Sequence, residues 1–171
     1  MPSLPLRLQC RGLVVDAEDR ILLVAHAIDE GTLWIGPGGG VEEGETREEG
    51  LRRELLEEVG LDLPDDHPLV LVWAREVDYP WATRNGFAGV DEQFFLLRTD
   101  YFEPSSGVAP GTPGHPDEEG IIEARWWTPS DLAAAGDDVL FGPRVLPTLL
   151  ATTLARERSG ALPSEPVRID L

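Results

Sequence analysis

Residues 34–61 read WIGPGGGVEEGETREEGLRRELLEEVGL, a glycine-rich turn running into a charged helix. Thr46 with Glu49 three residues on forms a T-x-x-E capping box, so the helix begins just after Thr46. Gly60 stands where a C-terminal cap is wanted. At about 100° per residue, Leu51, Leu55 and Val59 share one inward stripe. Glu54, Glu57 and Glu58, at i, i+3 and i+4, crowd the other side, where each like-charged i,i+4 pair costs about 0.2–0.5 kcal/mol in an isolated helix. No lysine sits among them, and a divalent cation would relieve the repulsion; hard oxygen ligands at this spacing suit Mg²⁺ or Mn²⁺. Arg53, four residues before Glu57, can pair with that carboxylate and orient it. Gly50 weakens the helix by about 1 kcal/mol relative to alanine and leaves space that a ligand could use.

On the helix alone, a glutamate-rich face reads first as a solvated surface. The turn before it changes that reading. Pro37-Gly38-Gly39-Gly40 lets backbone approach closely with no side chain in the way, and Gly44-Glu45 leads into the cap. Gly39, five residues, Glu45, seven residues, Arg53-Glu54-Leu55, one residue, Glu57-Glu58, one residue and Gly60-Leu61 together resemble the Nudix box at every specified position. The resemblance implies an α/β fold, an α/β/α sandwich with a mixed β-sheet. It implies hydrolysis of a diphosphate linkage in a nucleoside diphosphate joined to another group, with Mg²⁺ or Mn²⁺ as cofactor. By the same resemblance the metal ligands are the Gly38 carbonyl, Glu54, Glu57 and Glu58, with Glu57 as ligand or base and Arg53 orienting it. A further acidic ligand or base is expected beyond the box, with Glu118 or Glu119 in the right region and Glu92 as another candidate; Glu119 joins the catalytic set.

Substrate is less determined. The ADP-ribose-hydrolysing subgroup carries a proline fifteen residues past the box, where this chain has Glu76. The dinucleoside-polyphosphate subgroup carries a tyrosine about eighteen residues past it, where Tyr79 stands, and the reading leans that way. Two other classes remain open. One is a catalytically silent module that senses a nucleotide. The other is an isoprenoid diphosphate isomerase, which would need a well-placed cysteine, and Cys10 falls in the first strand rather than in the box.

The chain has 171 residues, enough for one domain with a sizeable core. A formal net charge of -18 disfavours nucleic acid and anionic membranes as partners. A nucleotide-type diphosphate is the expected partner, and a homodimer is left open. One cysteine excludes an intramolecular disulfide and fits a reducing cytoplasm. No apolar run is long enough to span a bilayer.

Around the box, residues 6–15 and 21–27 read as strands of a hairpin, followed by a polar loop over 26–31 that carries His26 and a short strand over 33–35. Residues 69–77 and 91–99 are further strands. Between them, the loop 78–89 mixes Tyr79, Trp81, Arg84 and Phe87, aromatics and an arginine able to sandwich a base and grip a phosphate, so Tyr79, Trp81 and Arg84 are the candidate substrate-binding residues. Arg75 and Arg98 could also offset phosphate charge. Proline and glycine make 103–116 an exposed loop. A strand over 121–127, a short helix from Pro129 and a helix over 144–158 close a single domain, 1–158, with an extended or loosely docked tail over 159–171.

Overall fold

A computed structural model describes residues 2–170. Its elements, in chain order, are β1 (Leu6–Val15), β2 (Ile21–Ile28), β3 (Gly31–Ile35), β4 (Gly38–Gly40), α1 (Arg47–Val59), β5 (Val70–Val77), α2 (Pro80–Arg84), β6 (Gly89–Arg98), β7 (Ile121–Trp127), α3 (Pro129–Ala134), β8 (Leu140–Gly142), α4 (Leu146–Arg158) and β9 (Val167–Arg168). The mixed sheet runs β8-β3-β2-β1-β6-β5-β9, with β4 paired to β1 and β7 paired to β2. β1 lies antiparallel to β2 and β4 but parallel to β6 along its whole length.

Strand alternation splits the core into two layers. Leu13, Val15, Ile21, Leu23 and Ala25 face one way, onto Leu132 of α3 and Leu146, Leu150 and Leu154 of α4. Cys10, Val14, Leu22 and Val24 face the other way, onto Leu51, Leu55 and Val59 of α1. The outcome is a sheet sandwiched between α1 and the α3–α4 pair. Among the described residues, no helix is long and apolar enough to cross a membrane.

Three local expectations change, and one strand is added. The loop expected over 26–31 shrinks to a turn at Asp29-Glu30: β2 continues to Ile28, and His26 pairs with Leu33 on one side and Ile121 on the other. The loop over 78–89 contains α2, begun by Pro80 at its first position. A short strand, β8, pairs with β3. The tail is tied down, because Val167 and Arg168 pair with Trp73 and Ala74, and Ile169 N–H donates to the Ala74 carbonyl at 2.9 Å. Residues 1 and 171, the ends of the two ranges drawn from sequence, lie outside the described residues.

Candidate active site

The site forms where β4 lies between β1 and α1. α1 starts at the capping box: Thr46 accepts from Glu49 N–H at 3.1 Å, and Glu49 accepts from Thr46 N–H at 3.1 Å. It ends at Gly60 in the left-handed conformation, φ 76°. Three glycines of β4 then bring strand and helix together. A Cβ on Gly39 would stand 2.6 Å from Glu54 Oε1, and one on Gly38, at φ +150°, would stand 2.1 Å from the Cys10 carbonyl. Side chains are excluded there, and the backbone reaches the carboxylates directly: Gly38 N–H donates to Glu58 Oε2 at 2.9 Å.

Glu54 and Glu58 are buried, 7% and 4% exposed, so their side of α1 is no solvated surface. Burial pushes the Glu58 carboxyl up to about 8, with the Glu54 charge adding to it and Arg11 opposing. Burial likewise raises Glu54 and Glu57, with Arg53 pulling both down. Arg53 is the cation expected to orient Glu57, but its main partner is Glu45. It donates to Glu45 through Nε at 2.9 Å and Nη2 at 2.8 Å, to the Gly40 carbonyl at 2.9 Å, to Glu54 at 3.0 Å and only at 3.4 Å to Glu57. Arg53 thus clamps the loop before α1, β4 and two of the three carboxylates into one unit. Gly50 serves the same clamp rather than a ligand, since a Cβ there would meet Glu45 Oε1 at 3.1 Å.

The far end of α1 is closed by the segment expected to be an exposed loop. Ser105 N–H and Gly107 N–H donate to the carbonyls of Val59 and Leu56 at 3.1 and 2.8 Å, and Ser106 Oγ donates to the Glu57 carbonyl at 2.6 Å. These bonds satisfy carbonyls that a helix C-terminus otherwise leaves open. Gly114 lies so close that a Cβ there would meet Glu57 Oε2 at 2.2 Å. From this docked loop the chain delivers Glu119 to the open side of the site, where it faces a cavity of about 550 Å³ with Glu58, Gly38, Gly39 and Gly40.

The opposite wall of that cavity is Arg7, Gln9 and Arg11 of β1, with His26 of β2 and with Trp81, Asn85 and Phe87 from the α2 segment. Arg11 donates to the Gly38 carbonyl at 3.0 Å and to Glu92 at 2.8 Å. Burial and the Arg11 charge push His26 down to about 4, so its imidazole is neutral at physiological pH. Trp81, 37% exposed, stacks against Tyr79 at 6.1 Å and 14°. Tyr79 sits behind it and accepts from Arg75 at 3.2 Å.

Several sequence candidates fall elsewhere. Arg84 donates to the Pro80 carbonyl at 3.3 Å and lies outside the cavity wall. Arg98 is on the far side, bridging Asp19 at 2.9 Å and Glu157 of α4. Glu118 does not line the cavity. Glu92 is buried at 1% exposure between Arg11 and Arg75, which donates to it at 2.7 Å, and those two cations hold its carboxyl below the usual range against burial. A carboxylate so neutralised is a poor base. Cys10, placed by sequence away from the box, in fact lies under it: it pairs with Gly39, and its Sγ is 3.6 Å from the Gly39 carbonyl. Burial raises its thiol to about 12, which leaves it unreactive. Arg7, Gln9 and Arg11 were missed, although their i, i+2, i+4 alternation in an otherwise apolar strand places all three on one face.

Among the described residues, no three acidic, histidine or cysteine side chains converge tightly enough to hold a metal ion as they stand. The donor set nevertheless fits a hard divalent cation. Two buried carboxylates and a third beside them carry more negative charge than Arg53 and Arg11 offset: burial makes all three harder to ionise, and neighbouring carboxylates add to it.

The NUDIX domain profile matches residues 6–149. An RNA pyrophosphohydrolase of Sulfurovum sp. (strain NBC37-1) is 37% identical over 81 residues, 44% of this chain and 49% of that protein, so the chain matches about half its length. An RNA pyrophosphohydrolase of Aeromonas hydrophila is 30% identical over 125 residues, covering 69% of this chain and 70% of that protein. Among solved structures, a MutT NUDIX hydrolase from Burkholderia pseudomallei superposes with a TM-score of 0.58 at 23% identity, covering 85% of this chain and 95% of that one. A MutT protein from Methanosarcina mazei Go1 gives 0.62 at 16% identity, covering 92% and 99%. At such identities the structural likeness speaks for the fold.

Proposed function

The chain belongs to the Nudix family, hydrolases that act on pyrophosphate bonds, and on that premise we propose that it hydrolyses a diphosphate linkage in a small nucleotide-type substrate with the aid of Mg²⁺ or Mn²⁺. The observation that carries this reading is the under-neutralised cluster of Glu54, Glu57 and Glu58, of which Glu58 lines a cavity whose other wall is arginine and aromatic.

In this reading the Gly38 carbonyl, Glu54, Glu57 and Glu58 hold the cation. The ion, once bound, supplies Lewis-acid neutralisation of the diphosphate oxygens. The chain does the rest. Arg53 fixes the directions of Glu54 and Glu57, and the Gly38 amide fixes Glu58. Arg11, anchored by Glu92, stands at the cavity wall to offset charge on the phosphate that leaves. Glu119, exposed at the open side, takes the proton of the attacking water; one P–O bond forms to that water and the bridging P–O bond breaks. Trp81 offers its face to the base, backed by Tyr79.

A second reading, a 5′-phosphorylated RNA end as substrate, is favoured by the names of the relatives. The net charge of -18 weighs against extended RNA contacts, though not against a terminal phosphate chain held in the cavity. The buried and hydrogen-bonded Cys10 weighs against the isomerase alternative.

The test is a panel of nucleoside triphosphates, dinucleoside polyphosphates, nucleotide sugars and a 5′-triphosphorylated RNA oligonucleotide, assayed with Mg²⁺ or Mn²⁺, with both products identified. Cleavage at a P–O–P bond that stops in excess EDTA is expected. Undiminished turnover in EDTA, or no cleavage across the panel, would sink the reading.

A further inference from the structure

The cavity wall contains two arginines in different circumstances. Arg11 is held by protein partners, ion-paired to Glu92 and bonded to the Gly38 carbonyl. Arg7 is not: among the described residues it has no ion pair and no hydrogen bond, and its recorded ring contact is Phe87, whose centroid lies 5.4 Å from the guanidinium carbon. Its other neighbour is backbone. A Cβ on Gly40 would stand 2.3 Å from Arg7 Nη2 and 3.0 Å from its Cζ, so the guanidinium packs directly on the Gly40 backbone, in space a side chain there would claim. Phe87 is itself held in place, since the next residue, Ala88, donates its N–H to the Pro5 carbonyl at 2.9 Å. A planar cation is thus wedged between a ring and a strand, its edge donors unspent, on the wall of the cavity that holds Glu58 and Glu119.

We propose that Arg7 anchors a phosphate that is not attacked, making the site selective for chains of three or more phosphates over diphosphate diesters. This rests on the reading that the cavity hydrolyses a diphosphate linkage. Gly40, under the guanidinium, is two residues and about 7 Å along β4 from Gly38, where the carboxylates gather. A substrate whose reacting linkage lies at Gly38 therefore presents the next part of its chain to Arg7. A terminal phosphate there meets a guanidinium fork that matches its oxygens bidentately. A diphosphate diester places a neutral sugar at the same point and leaves the cation unused. In a molecule of net charge -18, an uncommitted arginine in the cavity is also where an anion is drawn in.

The experiment compares Arg7→Gln and Arg7→Lys with the parent on two probes, ATP and ADP-ribose, in Mg²⁺. A charge-assisted bond at this point is worth about a tenfold change or more in kcat/KM, so Arg7→Gln should lose at least about tenfold more on ATP than on ADP-ribose. Arg7→Lys, which keeps the charge and loses the fork, should fall between. Equal losses on both probes, or no loss on ATP, overturn the proposal. Melting temperatures of the variants show whether a loss reflects folding. If the parent cleaves neither probe, the hydrolytic reading has failed on these substrates and calorimetry in EDTA decides the anchor alone: inorganic tripolyphosphate should bind the parent about tenfold more tightly than Arg7→Gln. Equal affinities, or no binding to either, overturn it.

Discussion

Two buried carboxylates sit on either side of Arg11 and have opposite fates. Glu92, 1% exposed, receives Arg11 at 2.8 Å and Arg75 at 2.7 Å, and its carboxyl is held down despite burial. Glu58, 4% exposed, receives one backbone amide and shares its helix face with Glu54, and its carboxyl is pushed up. Burial is nearly equal, so the difference is compensation. A buried charge with two guanidinium partners is part of the scaffold. A buried charge left short of cations has a reason to meet one from outside.

The largest effect that would break this contrast is on folding. Glu92→Gln leaves Arg11 and Arg75 sharing a neutral amide, and should destabilise the protein by about 3–5 kcal/mol. Urea unfolding in EDTA measures it; a loss under about 1 kcal/mol would mean that the triad is not what fixes Arg11. Glu58→Gln should do the reverse. Activity in Mg²⁺ should fall about a hundredfold or more, close to 3 kcal/mol of barrier, while the metal-free variant melts at or above the parent. A variant that melts well below the parent in EDTA would make Glu58 a structural residue like Glu92.

The pH dependence sharpens the same point. Glu58 titrates near 4.5 when unfolded and about 8 when folded, so between those values the folded, metal-free protein holds a proton that the unfolded chain has released. Stability therefore falls as pH rises through that window, by on the order of 5 kcal/mol, and the cost is absent below pH 4.5. His26, pushed down from 6.5 to about 4, works the other way, its contribution being lost as pH falls through that range. Both proteins contain His26, so the difference in melting temperature between Glu58→Gln and the parent in EDTA isolates Glu58. That difference should grow from pH 4.5 to 8, and a flat difference would show that Glu58 is adequately compensated. The smallest effects concern the base. Trp81→Ala should raise KM by about three- to tenfold with kcat nearly unchanged, and Arg84→Ala should change neither, because only Trp81 lines the cavity. An equal effect of the two would mean that the α2 segment works as a whole.

What could be read from sequence was local. The capping box, Gly60 and the spacing of Leu51, Leu55 and Val59 define α1 within one stretch, and the glutamates follow from the same periodicity. What was missed depends on pairing between distant segments. Arg7 and Arg11 gain their meaning only when β4 is laid against β1 and the α2 segment brings Phe87 and Trp81 opposite. His26 read as a loop residue because the polar Asp29-Glu30-Gly31 follows it closely, yet pairing with β3 and β7 holds it extended. Glu92 lies in a strand whose sequence gives no hint that two arginines from neighbouring strands close on it.

The last strand has a consequence for handling the protein. β9 is two residues long, directly follows Pro166, and covers the outer margin of β5 at Trp73 and Ala74. Cutting the chain back to residue 165 would bare those backbone donors and acceptors next to a fully buried tryptophan, inviting other copies to add strands there. Such a truncation should aggregate with time at concentrations where the parent stays dispersed, as light scattering would show, and an affinity tag joined at this end needs a spacer that leaves Val167–Arg168 seated.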